Sequence, residues 1–89
     1  MSVKMKILII GPMVKEARKK LDLSQVELAK ELGYDYGNFI GMIESGTAKF
    51  PRDRVIKFAK ALNIPPARFL EAWVEEYQPE WKEYLSFNK

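Results

Sequence analysis

The side chains that could do chemistry in this chain are carboxylates, lysines, arginines and tyrosines, because its 89 residues include no histidine and no cysteine. The usual general base and the thiol nucleophile are therefore missing, as are disulfides and cysteine ligands for zinc. Gly11-Pro12 follows an apolar run, but the glycine fingerprint of a nucleotide-binding loop is absent. We predict that the chain is not an enzyme and uses no metal and no cofactor. The lack of cysteine also fits a reducing cytoplasm.

The basic side chains favour a different chemistry, the electrostatic binding of a polyanion. Residues 1–68 carry 13 Lys/Arg against 7 Asp/Glu, whereas residues 69–89 carry 2 against 5. The basic body of the chain suits a polyanion, and the acidic tail does not. A solvated surface without any partner would show the same charges, so this alternative stays open.

Residues 24–46 contain the elements that would position the binding side chains. Ser24 and Glu27 have the spacing of a capping box, and Gly33 can adopt the left-handed conformation that ends a helix. A second helical stretch follows and ends at Gly46. The inward positions of the two helices are apolar: Leu28, Ala29, Leu32, Ile40 and Ile43. Two short helices that meet at a steep angle are the geometry that places one helix in a DNA groove.

An ordered set of short motifs supports this interpretation. The motifs are Glu16-Ala17-Arg18-Lys19-Lys20, Leu23-Ser24-Gln25, Glu27-Leu28-Ala29, Leu32-Gly33, Ile43-Glu44-Ser45-Gly46, Phe58-Ala59-Lys60-Ala61-Leu62-Asn63-Ile64 and Phe69-Leu70. Over roughly residues 12–70 the chain resembles the Cro/C1-type (XRE-like) helix-turn-helix family of phage Cro and repressor proteins. No single motif is specific, but the ordered set is.

The resemblance implies an all-α, five-helix, lambda-repressor-like domain, to which the sequence adds a segment at each end. The three parts are an apolar N-terminal arm at residues 1–11, the helix-turn-helix domain at 12–70 and an aromatic, acidic tail at 71–89. The arm is β-prone up to Ile10, so helix one is expected to begin at Pro12. In the tail, Pro79 predicts a break between helix five and a short extra C-terminal helix.

The turn before the third helix is longer than the family's usual one. Twelve residues lie between the two glycines that end helices two and three, and we place the one extra residue in the turn. The resemblance then makes residues 37–45 the helix that enters the major groove, with Gly37, Asn38 and Met42 as base-reading positions. Asn38 can pair bidentately with adenine and Met42 can contact a thymine methyl, whereas Gly37 has no side chain. A core helix with a neutral outer face is the alternative.

Four residues are candidates for contacts with DNA phosphates. Gln25 begins helix two, and Lys49 and Arg52 match the family's second group of phosphate-binding residues. Tyr36 can offer its hydroxyl or simply pack across the longer turn. Arg54 is a weaker candidate, because helix four could turn it away from DNA. For each basic residue the alternative is an ordinary solvated charge.

Arg18 and Glu44 match a structural pair of the family, in which an arginine of helix one binds the glutamate before the end of helix three. Such a pair would fix the angle between the helices, and loss of one partner would leave a partly buried charge. We therefore expect Glu44 to matter more for stability than for DNA affinity.

A stripe of aromatic residues, continued by Leu85, recurs every four positions from helix five into the tail, at Phe69, Trp73, Tyr77 and Trp81, and the extra helix is expected from about Pro79 to Leu85. Three interpretations stay open. The stripe could fold back as extra core, it could form a dimer seam with the N-terminal arm, or it could bind a protein partner. In the last two cases Trp73, Tyr77 and Trp81 would form the dimer or partner surface.

Two functions compete on this evidence. The first is a sequence-specific DNA-binding transcriptional regulator of repressor type, which binds double-stranded DNA as a homodimer. The second is a protein-interaction module on the same scaffold, such as an antitoxin or a phage regulatory protein, with weak or no specific DNA binding. No apolar run approaches the length of a membrane span. We expect a cytoplasmic protein, and the resemblance implies a prokaryotic or phage origin.

Overall fold

The structure is a computed structural model that describes residues 8–81, and this part of the chain is all-helical. Its helices are α1 (Ile10–Lys20), α2 (Gln25–Glu31), α3 (Asn38–Ser45), α4 (Val55–Ala61) and α5 (Pro66–Tyr77), with 3-10 turns at Arg52–Arg54 and Pro79–Trp81. The predicted all-α architecture of five helices is confirmed. The predicted tail helix is a 3-10 turn within this range, and its continuation toward Leu85 lies outside the described residues, as does the predicted arm over residues 1–7.

The predicted helix ends are present. The Ser24 hydroxyl accepts a hydrogen bond from the Glu27 amide at 3.0 Å, and the Glu27 carboxylate accepts one from the Ser24 amide at 2.8 Å. The Ser24 backbone amide lowers the pKa of Glu27, because it binds the charged carboxylate. Gly33, Gly46 and Asn63 adopt positive φ angles of 84°, 80° and 57° where their helices stop. The capping box and these stops define α2, α3 and α4 from local sequence alone.

The start of α1 differs from the prediction. The helix begins at Ile10, inside the apolar run that was expected to be β-prone, and it includes Gly11 and Pro12. Its first amides have a distant partner, since Glu76 Oε1 accepts from the Ile9 amide at 2.7 Å and from the Ile10 amide at 2.8 Å. A carboxylate at this position also complements the positive end of the helix dipole. Glu76 of α5 therefore caps α1 through a tertiary contact.

The apolar faces of the five helices meet in one core. Phe58 and Phe69 are fully buried at its centre, and the ring of Phe50 packs edge-on against both, at centroid distances of 4.6 Å and 5.5 Å. Burying aromatic side chains of this size contributes most of what a small domain can gain from apolar surface. Phe50 belongs to the loop between α3 and α4, so the core anchors that loop as well as the helices.

The aromatic tail adds to this core. Trp73 is only 6% exposed, and its Nε1–H donates to the Phe50 carbonyl at 3.1 Å. The hydroxyl oxygen of the half-buried Tyr77 accepts from the Phe50 amide at 3.1 Å, and burial raises the pKa of that phenol. The assignment of Trp73 to a dimer or partner surface is therefore wrong, and Tyr77 is largely engaged in the same contact. Trp81 remains 38% exposed beside the Trp73 ring.

Helix α3 is approached closely by its neighbours near both ends. A β-carbon on Gly11 would lie 2.5 Å from the Glu44 carbonyl oxygen and 2.7 Å from that of Ile43. A β-carbon on Gly37 would lie 2.9 Å from the backbone nitrogen of Val26. Backbone atoms cannot yield as a flexible side chain can, so these two crossings require glycine.

We predict that Gly11→Ala destabilises the domain by about 1–3 kcal/mol, because its methyl group would push α1 away from the last turn of α3. Gly41→Ala is the matched control, since its β-carbon would meet only the Gln25 side chain, at 3.3 Å. Alanine is favoured over glycine in a helix by about 1 kcal/mol, which offsets the small shift required of the flexible Gln25 side chain, so the control should cost much less than Gly11→Ala. Urea unfolding measures the free energy of unfolding of each variant. Equal values for Gly11→Ala and Gly41→Ala would contradict the close backbone contact between α1 and α3.

Candidate nucleic-acid interface

The outer face of α3 carries two predicted base-reading residues. Asn38 is the first residue of the helix and is exposed, and Met42 is 40% exposed. Because they lie four residues apart on one helix, their side chains share a face. Ile40 and Ile43, on the opposite side, are buried in the core. The helix is therefore anchored by its apolar face and presents an amide and a thioether to the outside.

Gly37 does not belong to that face. It is buried at the start of α3, packed against the backbone of Val26. Its assignment as a base-reading position is therefore wrong. The reason is tertiary, since α3 starts so close to the beginning of α2 that position 37 has no room for a side chain or for DNA.

A buried ion pair fixes α3 against α1. Arg18 Nε donates to Glu44 Oε2 at 2.6 Å, and a second guanidinium nitrogen donates to Oε1 at 3.1 Å. The two side chains are 10% and 5% exposed, and the hydrogen bond to Glu44 raises the pKa of Arg18. The remaining terminal nitrogen of Arg18 donates to the Leu23 carbonyl at 2.8 Å. The predicted contact is thus present, and it also secures the turn that leads into α2.

Gln25 joins the same group of side chains. Its Nε2 donates to Glu44 Oε1 at 3.1 Å, and its side-chain amide lies beside Gly41, whose missing side chain leaves room for it. One N–H of the Gln25 amide and its carbonyl oxygen are left to bind other groups. The sequence had assigned Gln25 to a phosphate contact only, and its bond to Glu44 was missed, because two polar residues 19 positions apart carry no local signal.

The basic candidates fall into two groups. Lys49 and Arg52 are exposed, in the loop after α3 and in the 3-10 turn that follows it. Arg54 is half-buried, with its guanidinium carbon 5.6 Å from the centroid of the Tyr34 ring, an arrangement typical of a cation–π contact. Tyr36, in the long turn before α3, is 75% exposed. Lys49, Arg52 and Tyr36 are therefore accessible to an anionic partner, whereas Arg54 is turned toward Tyr34.

Two further contacts were not expected from the sequence, namely the Glu76 cap on α1 and the engagement of the Phe50 backbone by Trp73 and Tyr77. The four-residue spacing of the aromatic stripe signalled that these rings share a helix face, but it gave no information on their backbone partners. Among residues 8–81, no cluster of acidic residues could hold a metal ion. None of the helices described is both long and apolar enough to cross a bilayer.

Most of the described part of the chain matches one known protein family. A helix-turn-helix family model matches residues 14–69, which is more than half of the chain and spans α1 through the start of α5. The chain belongs to the Cro/C1-type helix-turn-helix family. This is a family of DNA-binding regulators and not of enzymes. A search of curated proteins finds no match. In this helix-turn-helix domain α2 and α3 form the motif.

We predict that Glu44→Ala lowers the free energy of unfolding by about 3 kcal/mol, because it leaves the Arg18 guanidinium buried without its carboxylate. DNA affinity, measured well below the melting temperature, should fall less. Glu16→Ala is the matched control, since the Glu16–Lys20 pair is 3.4 Å long and over 70% exposed on both sides. Its loss should cost less than about 0.5 kcal/mol. An unchanged melting temperature for Glu44→Ala would refute the structural assignment.

Proposed function

We propose that the domain is a sequence-specific DNA-binding regulator of transcription, of repressor type, which inserts α3 into the major groove of double-stranded DNA. The observation that carries the proposal is the exposed Asn38–Met42 face on a helix whose other side is fixed by the core and by the Arg18–Glu44 pair. A rigid reading helix is favourable, because little conformational freedom is lost when it binds. The family supports DNA as the partner.

The chemistry of the face suits bases rather than phosphates. The Asn38 amide offers one donor and one acceptor in a plane, which matches N6 and N7 of adenine, and the Met42 side chain can pack against a thymine methyl. Gly41, between them, faces the Gln25 side chain of α2, so it adds no base-reading group of its own. We infer that A·T pairs dominate the site read by each domain.

Phosphate contacts would position the helix. Lys49 and Arg52 follow α3, Gln25 begins α2, and Tyr36 precedes α3, so the four candidates come from both flanks of the reading helix in sequence. Exposed cations and hydroxyls of this kind bind the backbone without reading sequence. As a homodimer in the cytoplasm of a prokaryote or of a phage-infected cell, the protein would place two α3 helices in successive major grooves, about 34–36 Å apart.

A second function is favoured by one observation, the limited polarity of the reading face. Met42 of α3 is 40% exposed, and Val26 of α2 and Tyr36 of the adjoining turn expose 50% and 75% of their surface beside it in the helix-turn-helix. Exposed apolar and aromatic residues are typical of protein interfaces. The alternative is therefore a protein-interaction module, such as an antitoxin or a phage regulatory protein.

Selection of bound sites from a random pool of DNA duplexes distinguishes the two functions. A DNA-reading homodimer should enrich an inverted repeat whose half-sites are separated by one helical turn or a multiple of it. Retention of DNA without an enriched sequence, or no retention at low salt, would favour the protein-interaction module.

On an enriched site, we predict that Asn38→Ala costs about 1–3 kcal/mol of binding free energy and little on random DNA. The loss should concentrate at one adenine position, because the amide pairs with one base. Asn63→Gly is the matched control, since it removes an amide where the backbone is left-handed and glycine is tolerated. Fluorescence anisotropy measures both, and equal losses on selected and random duplexes would show that Asn38 does not read a base.

A further inference from the structure

The last two turns of α5 extend beyond residue 69, where the match to the family ends. Trp73 and Tyr77 lie in this extension, and together they bind the backbone carbonyl and the backbone amide of Phe50, in the loop after α3. The Trp73 indole N–H donates to the Phe50 carbonyl and the Tyr77 hydroxyl oxygen accepts from the Phe50 amide, each at 3.1 Å. Phe50 is only 2% exposed, so water cannot easily replace either bond.

Phe50 lies between two exposed cations in the loop after α3. Lys49 precedes it directly and Arg52 follows after Pro51, whose ring restricts the backbone and which has no amide hydrogen. The first half of the loop is secured elsewhere, since the Ala48 amide donates to the Met42 carbonyl of α3 at 3.1 Å. The second half is held through Phe50, whose ring packs against Phe58 of α4 and Phe69 of α5 and whose backbone binds Trp73 and Tyr77 of α5. A displacement of Phe50 would move both flanking cations together.

The same end of α5 is itself firmly held. Glu76, next to Tyr77, accepts the two hydrogen bonds that begin α1. Trp73 is buried, and its ring lies 5.5 Å from that of Tyr77. The two aromatic side chains therefore extend from a fixed support, which is what a positioning contact requires.

We propose that Trp73 and Tyr77 are positioning residues for DNA binding, which hold Phe50 so that Lys49 and Arg52 meet the phosphate backbone beside α3. This inference rests on the proposed function, and it assigns to the segment beyond the family match a role in the affinity of the domain. This positioning role predicts which contacts with DNA are weakened when a bond to Phe50 is lost. Removing a bond to Phe50 should act on phosphate contacts, which are sensitive to salt, and not on base reading.

Tyr77→Phe is the most conservative test, because it keeps the ring and removes only the hydroxyl acceptor. Binding to a random-sequence duplex is measured by anisotropy over a range of salt concentrations, at a temperature where circular dichroism shows the variant folded. Each phosphate contact contributes about 0.9 to the slope of log affinity against log salt. Because the Trp73 bond and the packing of the Phe50 ring remain, we expect Tyr77→Phe to reduce this slope by up to about one contact, and affinity at low salt by roughly threefold to tenfold. Trp73→Phe, which removes the donor to the Phe50 carbonyl, should act in the same direction.

Val14→Ala is the matched control for stability. Val14 is fully buried in α1, so its truncation destabilises the fold without touching the loop. It should leave the salt slope unchanged in the folded protein. A reduced slope in Val14→Ala, equal to that of Tyr77→Phe, would mean that loss of stability alone explains the effect and would overturn the positioning role.

A double-mutant cycle completes the test. In the background Lys49→Ala/Arg52→Ala, which itself should lower the slope, Tyr77→Phe should have no further effect on affinity. The same loss in both backgrounds would overturn the proposal, as would an unchanged slope in Tyr77→Phe alone, and in either case the proposed function would stand. An unchanged slope in Lys49→Ala/Arg52→Ala would show that these residues bind no phosphate. The positioning role would then fail together with the phosphate part of the proposed function.

Discussion

The arrangement of the helix-turn-helix depends on the buried pair between Arg18 and Glu44. Three segments meet in it, since Arg18 belongs to α1, Glu44 to α3, and the Leu23 carbonyl that Arg18 also binds lies just before α2. A buried ion pair often adds little net stability over an apolar replacement, because two charges must be removed from water. Its value here is orientation, as a bidentate guanidinium–carboxylate contact accepts only a narrow range of geometries.

Close contacts between helix backbones also fix the position of α3. Gly37 allows the start of α3 to touch α2, and Gly11 allows the end of α3 to touch α1. Between these contacts the apolar side of α3 is buried, and its exposed side carries Asn38, Met42 and Ser45. The loop that follows is held in turn by the α5 side chains that bind Phe50. Helix α3 and the basic loop are thereby fixed relative to each other, as the proposed simultaneous contacts with bases and phosphates require.

Most of the fold could be predicted from sequence, because its signals are local. The Ser24–Glu27 capping box and the left-handed stops at Gly33 and Gly46 depend on residues within one turn, and the resemblance supplied the Arg18–Glu44 pair. The predictions that the structure corrects depend instead on contacts between residues that are distant in sequence. The start of α1 is decided by Glu76, 66 residues from Ile10, and Gly37 is excluded from the groove by the backbone of another helix. The spacing of residue types along the chain does not reveal contacts with backbone atoms that are distant in sequence.

Chemical-shift mapping by NMR shows whether the outer face of α3 contacts DNA. The isotope-labelled domain is titrated with duplex DNA at low salt while backbone amides and the Asn38 side-chain amide are followed. We expect the largest shifts in α3 at Asn38 and Met42 and at Lys49 in the adjoining loop. Shifts confined to α1 and the surface around Trp81, with α3 unperturbed, would contradict this contact.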